Sequence, residues 1–596
     1  MDQATVLDPQ MQVIQLNRRS GLNYRERRQP DWDTNYALYR DKVVYNRLTQ
    51  RQSVNVPLMK YQVRTLLKDV DDMPVLYFEN LDNDKQAEVF ENEYWKETVA
   101  HNHMELQDII DKRQVMLFGR SYDQWQIIDG KIVMTVQDPA DVLVSRYTDP
   151  FNIHSSRFLI HHNIYVPLAS LKNNPDYNQD EVDELIKWHA TDQGLIKAAQ
   201  NDTAMQSKVE KLNTLGIPDA DMPVLGETYV ELSLNFMYMK NEEYVEGEEN
   251  TTTQQYAEKI YLIVDADQHC ILMNKALDEI IGKTKDNFWQ NHYPYNSWAD
   301  DLERQDWYSD GVGDIIRGPN IVVNTHYSQE VENRTLANLG MNVYDSTASE
   351  DFKPQTWDAK AFGWYGVPGK PSEVYQKLDV APLNGNKELM EFVIGISEKA
   401  SGATATQQGA QTERKVTLGE VELALGEAKE RIKGRSNFYT PAWEQRGIMF
   451  TKFVEAAHDK LDPCTIHKKG RFTDNIYTRT IEPKDWMTKM GSRVKVWSRD
   501  EKDAQDTQSL EKASAVKTNM PDNPKVDEIY KRKLVEFAGF TPDEINEVMA
   551  FEEQKQAALM SMVGQPGGLG MPGLPPDPAM AGKAPPQQAP VMIPGQ

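Results

Sequence analysis

The chain runs to 596 residues and carries 66 Lys+Arg against 91 Asp+Glu, a formal charge of −25 at pH 7. At about 100–200 residues per domain, that length calls for several folding units and excludes a single small enzyme domain. So acidic a chain is also a poor wrapper of nucleic acid by general phosphate neutralisation. Hydrophobic residues at 39% are enough for ordinary cores. Two cysteines, Cys270 and Cys464, are too few for a disulfide framework or a Cys-based zinc site, and a reducing compartment fits. Met1-Asp2-Gln3-Ala4 leads into no apolar run, and nowhere do about 18 apolar residues follow one another, so neither a secretory signal nor a membrane span is expected.

Arg18, Arg19, Arg25, Arg27 and Arg28 cluster in a segment with few apolar residues and read as a solvated arm, or as one that docks on an acidic neighbour or on DNA. From Asp31 to about Lys68 the spacing predicts two helices separated by Pro57, with Tyr36, Tyr39, Val43, Leu48, Tyr61, Val63 and Leu66 inward. Residues 86–120 are again helical. The period then switches to two over Trp125–Val136, where Asp129-Gly130 predicts a type I′ hairpin, because that turn needs positive φ at both central residues. Strict alternation from Tyr229 to Phe236 predicts a strand with one buried face, partnered by Lys259–Val264 across the acidic stretch Glu242–Glu249.

A long helix is expected from about Ser309 to Leu339, with Val312, Ile316, Pro319, Val323, Tyr327 and Val331 at intervals of three and four; Pro319 should kink it or mark its first turn. Residues 341–385, rich in Trp, Tyr, Gly and Pro, form a compact module, followed by a short helix, Lys387–Ala400. A small-residue stretch, Ser401–Thr412, precedes the longest helix candidate, from about Thr412 to His458, where Leu418, Val421, Leu425 and Ile432 keep the seam spacing of a helix packed lengthwise on others. Residues 464–498 are β-like and 503–560 helical. Ser561–Gln596, rich in Pro and Gly and without an aromatic residue, has the composition of disorder.

The chemistry-bearing patterns are few. Gly366-Val367-Pro368-Gly369-Lys370-Pro371-Ser372 lacks the spacing of a phosphate loop, which disfavours an ATP-driven motor. His101-Asn102-His103 and His161-His162 read as surface or satisfied core histidines, since neighbours on a strand face opposite ways. A metal-dependent nuclease would need converging acids with a lysine nearby; Asp278-Glu279 with Lys283 or Lys285 comes nearest.

The order of parts carries more than any motif: Pro294-Tyr295-Asn296-Ser297-Trp298, then Tyr308–Ile316, Asn320–Asn324 and Ser328, an aromatic module, Ile396-Ser397-Glu398-Lys399-Ala400-Ser401-Gly402, a Thr/Gln/Gly loop and a very long helix. This order resembles the portal proteins of tailed bacteriophages over roughly residues 30–560. The resemblance implies an α+β portal fold: wing 1–305, descending stem helix 306–340, clip 341–385, ascending stem helix 386–400, channel loop 401–415, long helix 412–460, wing return 461–502, crown helices 503–560 and a disordered tail 561–596. It also implies a non-enzymatic, cofactor-free dodecameric ring at one capsid vertex of the virion, assembled in the host cytoplasm. Its partners would be the major capsid protein, the terminase large subunit, neck or adaptor proteins and the double-stranded DNA passing through, with no membrane.

Gln407, Gln408, Gln411, Arg414 and Lys415 are the candidate channel contacts, and the acidic balance suits a bore that repels its cargo. Trp357, Phe362, Trp364 and Tyr365 exceed what so small a module needs for its own core and are the candidate docking residues of the clip. Leu418, Val421, Leu425 and Ile432 are the candidate seam between subunits. The alternatives are the nuclease above and another head–tail joining structural protein.

Overall fold

A computed structural model describes residues 9–41, 54–69, 73–82, 84–215, 227–241, 257–299, 301, 306–339, 341–344, 370, 375–378, 385–402, 439–469, 476–487, 490–497, 499–520, 524–537, 548–551 and 554. The chain is a mixed α+β protein. It divides into two compact units, Met1–Ile466 with Arg479–Ala504, and His467–Thr478 with Gln505–Gln596. Among the described residues no helix is long and apolar enough to cross a membrane.

The first unit opens with three helices, α1 (Pro9–Arg25), α2 (Gln29–Tyr39) and α3 (Leu58–Asp69), then strand β1 (Val75–Asn80). Helices α4 (Lys85–His101) and α5 (Met104–Phe118) divide at His103, which takes a left-handed conformation. Asp84 caps α4 by accepting from the Gln86 and Ala87 N–H groups. Strands β2 (Arg120–Ile128) and β3 (Lys131–Gln137) form the expected hairpin, Ile128 opposite Lys131, with φ of 47° at Asp129 and 71° at Gly130. β9 (Tyr295–Ala299) completes that sheet in the order β3-β2-β9.

A second, five-stranded antiparallel sheet takes the order β4 (Val142–Val144), β5 (Phe158–Pro167), β6 (Tyr229–Asn241), β7 (Ala257–Ala266) and β8 (Cys270–Ala276). Helices α6 (Gln179–His189) and α7 (Asp192–Leu215) lie between β5 and β6 in sequence, and the single-turn α8 (Leu277–Ile280) follows β8. The expected partnership of β6 with β7 is present, Phe236 opposite Leu262.

One expectation for β6 is corrected: both of its faces are buried. Val230, Leu232 and Phe236 enter the main core, whereas Glu231, Ser233 and Asn235 are buried on the other face beneath α1 and α7. Alternation reports the period of a strand, not whether its polar side is covered. What covers it corrects a second expectation. The arginine cluster is not a solvated arm: Arg18 is buried, paired with Glu231 and donating to Ser233 Oγ at 2.9 Å, while Arg25 donates to the Ala140 carbonyl. Arg28 bonds Asp314 at 2.7 Å; Arg19 and Arg27 stay exposed.

Helix α9 (Val312–Leu339) is followed by β10 (Met341–Tyr344), which pairs antiparallel with β11 (Tyr375–Leu378), and by α10 (Asn386–Ser401). Pro319 lies inside α9 and does not mark its first turn. Residues 439–457 form α11, which runs on past Pro441 and inserts Trp443, Phe450, Phe453 and Val454 into the main core. β12 (Cys464–Lys469) pairs with β13 (Ile476–Ile481), and β14 (Ser492–Trp497) pairs with β1, Phe78 opposite Val494. Helix α12 (Arg499–Asn519) follows. In the second unit α13 (Pro524–Phe537) presents Asp527 to Lys517 at 2.8 Å and Lys531 at 3.0 Å.

Candidate functional site

Helices α9 and α10, with the strand pair β10–β11 between them in sequence, form one excursion of the chain. Its root is polar. Asp314, the third residue of α9, reaches back to accept from the Gly311 N–H at 2.9 Å, satisfying a donor that the helix start leaves open. The same carboxylate takes Arg28 and Arg317 at 2.7 Å each and Asn35 Nδ2 at 3.1 Å. The α2 helix, the turn before it and α9 are thus tied at one acid. Backbone meets backbone here: a Cβ on Gly311 would lie 2.7 Å from the Gly119 nitrogen, and one on Gly119, whose φ is +83°, would lie 2.0 Å from the Ser309 carbonyl oxygen.

About two, three and four turns further on, α9 grips the entry to α3. Asn320 Oδ1 accepts from the Met59 N–H at 2.9 Å, Asn324 Oδ1 from the Val56 N–H at 2.8 Å, and Ser328 Oγ from the Val54 N–H at 3.0 Å. Spacing of four places all three on one helix face. Val54 and Val56 supply N–H groups because residues 54–57 precede α3 outside any helix, and Met59 because the first turn of a helix leaves its N–H groups open. α3 then holds the returning helix: Gln62 Oε1 accepts from the hydroxyls of Ser397, at 3.0 Å, and Ser401, at 3.2 Å. The last turn of α10 therefore sits beside the first half of α9, so the two helices run antiparallel. α10 ends at Gly402, φ +85°, whose N–H caps the Glu398 carbonyl.

The outward faces are the reverse of this. Ile315, Ile321, Val322 and Tyr327 of α9 are exposed, as are Leu389, Phe392 and Ile396 of α10, Phe392 at 65%. Leu389, Phe392 and Ile396 fall on one stripe by their three-four spacing.

A second polar centre fastens α11. Arg446, wholly buried, donates to Asp111 at 2.7 Å and to Asp123 at 3.2 Å, and Asp108 pairs with Lys112 at 2.7 Å. Tyr439 donates to Asp108, Trp298 to Asp111 and Trp125 to Asp123. Burial pushes Asp108's carboxyl up, with Lys112 and Arg446 working against it. Arg446 is held above its ordinary range: burial opposes its charge, but Asp111 and Asp123 outweigh that.

All the sequence-predicted site residues fall outside the described residues: the channel candidates Gln407, Gln408, Gln411, Arg414 and Lys415, the clip candidates Trp357, Phe362, Trp364 and Tyr365, and the seam candidates Leu418, Val421, Leu425 and Ile432. The histidine pair 161-162 is internal: burial pushes both down, to about 3 and about 4, and His161 Nδ1 lies 2.9 Å from the Tyr295 hydroxyl. Asp278 is buried with Lys259 at 3.9 Å while Glu279 is exposed, so these acids do not converge, and no group of three His, Cys, Asp or Glu among the described residues could hold a metal. Sequence reasoning missed Asp314, Gln62 and the exposed stripe on α10; the Gly-x-x-Asp start of α9 carried a capping signal that could have found Asp314. No family model matches the chain, and no curated protein matches it.

Proposed function

We propose that this chain is the portal subunit of a tailed bacteriophage, one of about twelve copies in a ring at a single capsid vertex, through which the terminase motor packages DNA and the genome later leaves. The observation that supports this reading most is the α9–α10 excursion: an antiparallel helix pair, rooted by polar clamps, joined through a small strand pair and lined outside with apolar residues. Such a face costs solvation in a lone chain and is relieved when identical helices pack around an axis.

On this reading α9 and α10 are the descending and ascending stem, the strands β10 and β11 close the base of the clip, and Gly402 leads into the channel loop. The surplus of acid repels DNA along the bore. The aromatic residues of the clip receive terminase and then a neck adaptor, and the wing faces the major capsid protein. The ring lives in the virion and carries no catalytic centre of its own.

Native mass measurement and negative-stain imaging of the purified chain test this directly. A closed ring of about twelve copies is expected, and a monomer under capsid-assembly conditions, or Mg²⁺-dependent DNA cleavage by the chain, overturns it. Within an intact ring, Arg414→Ala with Lys415→Ala should alter DNA retention or packaging; unchanged packaging removes both from the channel.

A further inference from the structure

A cavity of about 290 Å³ lies between α4, the loop after Gly282, α11 and the segment leading into β14, remote in role from the helix pair. Trp486, Met487 and Met490 give it an apolar wall. Glu91 of α4 also lines it, although this residue is fully buried. Its Oε2 accepts from the Ser492 hydroxyl, and its Oε1 has no partner among the described residues. Facing it, Lys452 bridges Asp286 at 2.8 Å and Glu455 at 2.9 Å, and the Lys285 N–H donates to Glu455 at 3.0 Å. Among the described residues the charged lining thus holds three acids and two lysines.

We propose that this cavity binds a primary alkylammonium group, its nitrogen against Glu91 and its methylenes along Trp486, Met487 and Met490. A buried carboxylate oxygen without a partner is costly and is stabilised by a donor that also carries positive charge. An anion would meet Glu91, Asp286 and Glu455 together. A neutral apolar guest would leave the carboxylate unsatisfied. A bare metal ion lacks a set of three ligands among the described residues. The indole of Trp486, stacked on Phe450, and the flexible thioethers of Met487 and Met490 fit a methylene chain.

Geometry and titration agree. Burial pushes Glu91 up to about 7, Glu88 on the same helix adding to this and the Ser492 hydroxyl opposing it. An incoming ammonium therefore displaces a proton near neutrality, and binding strengthens as pH rises past 7, because an alkylammonium keeps its own charge there.

Calorimetric titration of the full-length protein with n-butylammonium chloride, at pH 8 and at pH 6, tests this, with n-butanol and potassium chloride as controls. Binding at pH 8, weaker by about tenfold at pH 6 as Glu91 takes up its proton, and lost by at least about tenfold in Glu91→Gln is expected. No heat at pH 8, equal affinity in Glu91→Gln, or n-butanol binding as well as the amine overturns it. Should Glu91→Gln fail to fold, the pH comparison on the unaltered protein decides: pH-independent affinity overturns the proposal. Nα-acetyl-lysine amide serves as a further probe. Affinity equal to the amine's points to a lysine side chain of a partner, and its exclusion to a small free amine. Neither result depends on whether the chain forms a ring.

Discussion

The Arg446 cluster and the α9–α10 pair solve opposite problems with the same alphabet. Around Arg446, charged groups that would prefer water are drawn inside and satisfied by one another. On α9 and α10, apolar groups that would prefer an interior are turned outward. The first arrangement is complete within one chain; the second is complete only when something covers it. A fold can therefore be finished in its core and unfinished at its edge, and on the reading proposed above the unfinished part is where copies meet.

The difference can be attacked by substitution. Arg446→Met should have the largest effect, because it leaves Asp108, Asp111 and Asp123 buried with, among the described residues, only the Lys112 cation to offset them. A loss of about 3–5 kcal/mol is expected in denaturant unfolding, and a loss below about 1 kcal/mol would mean the cluster is not the fastening it resembles. Next comes Glu91, a buried acid without the cation that the Arg446 cluster enjoys. Its folded pKa, about 7 against 4.5, means the native state holds the extra proton between those values. Stability should therefore fall as pH rises from about 4.5 to about 7, by an amount on the order of 3 kcal/mol, and then level off. Glu91→Gln should remove that slope from a pH series of melting curves.

Asn320→Ala, at the root of the pair, should cost about 1–3 kcal/mol by stranding the Met59 N–H; thermal unfolding measures it. Smallest in stability is Phe392→Ser with Ile396→Ser, expected to fall within about 0.5 kcal/mol because both side chains already meet solvent. Sedimentation should nonetheless show weakened self-association. An unchanged oligomer would mean that the exposed stripe of α10 is not part of the seam.

Features written locally were legible in the sequence. Asp129-Gly130 declared its hairpin because two adjacent residues fix the turn, and Pro57 marked the break before α3 for the same reason. The long helix from Val312 showed in its periodicity. Arg18, Arg25 and Arg28 misled, because their partners Glu231, Ala140 and Asp314 lie more than a hundred residues away and a local window sees only unpaired charge. Asn320, Asn324 and Ser328 entered only as pieces of the order that carries the resemblance, and nothing nearby in sequence said that the backbone of residues 54–59 would bond to them. The candidate channel, clip and seam residues were chosen by composition and by the resemblance, and the folding of the described parts does not bear on them.

The strap across α9 makes that helix intolerant of miscounting. Each added residue turns everything beyond it by about 100°, so a one-codon insertion between Asn320 and Ser328 would swing Ser328, and with it the whole far end of the rod, away from its seat. The number of residues along that stretch is held by these hydrogen bonds together with the buried Val323, as the teeth of a zip fix their own number.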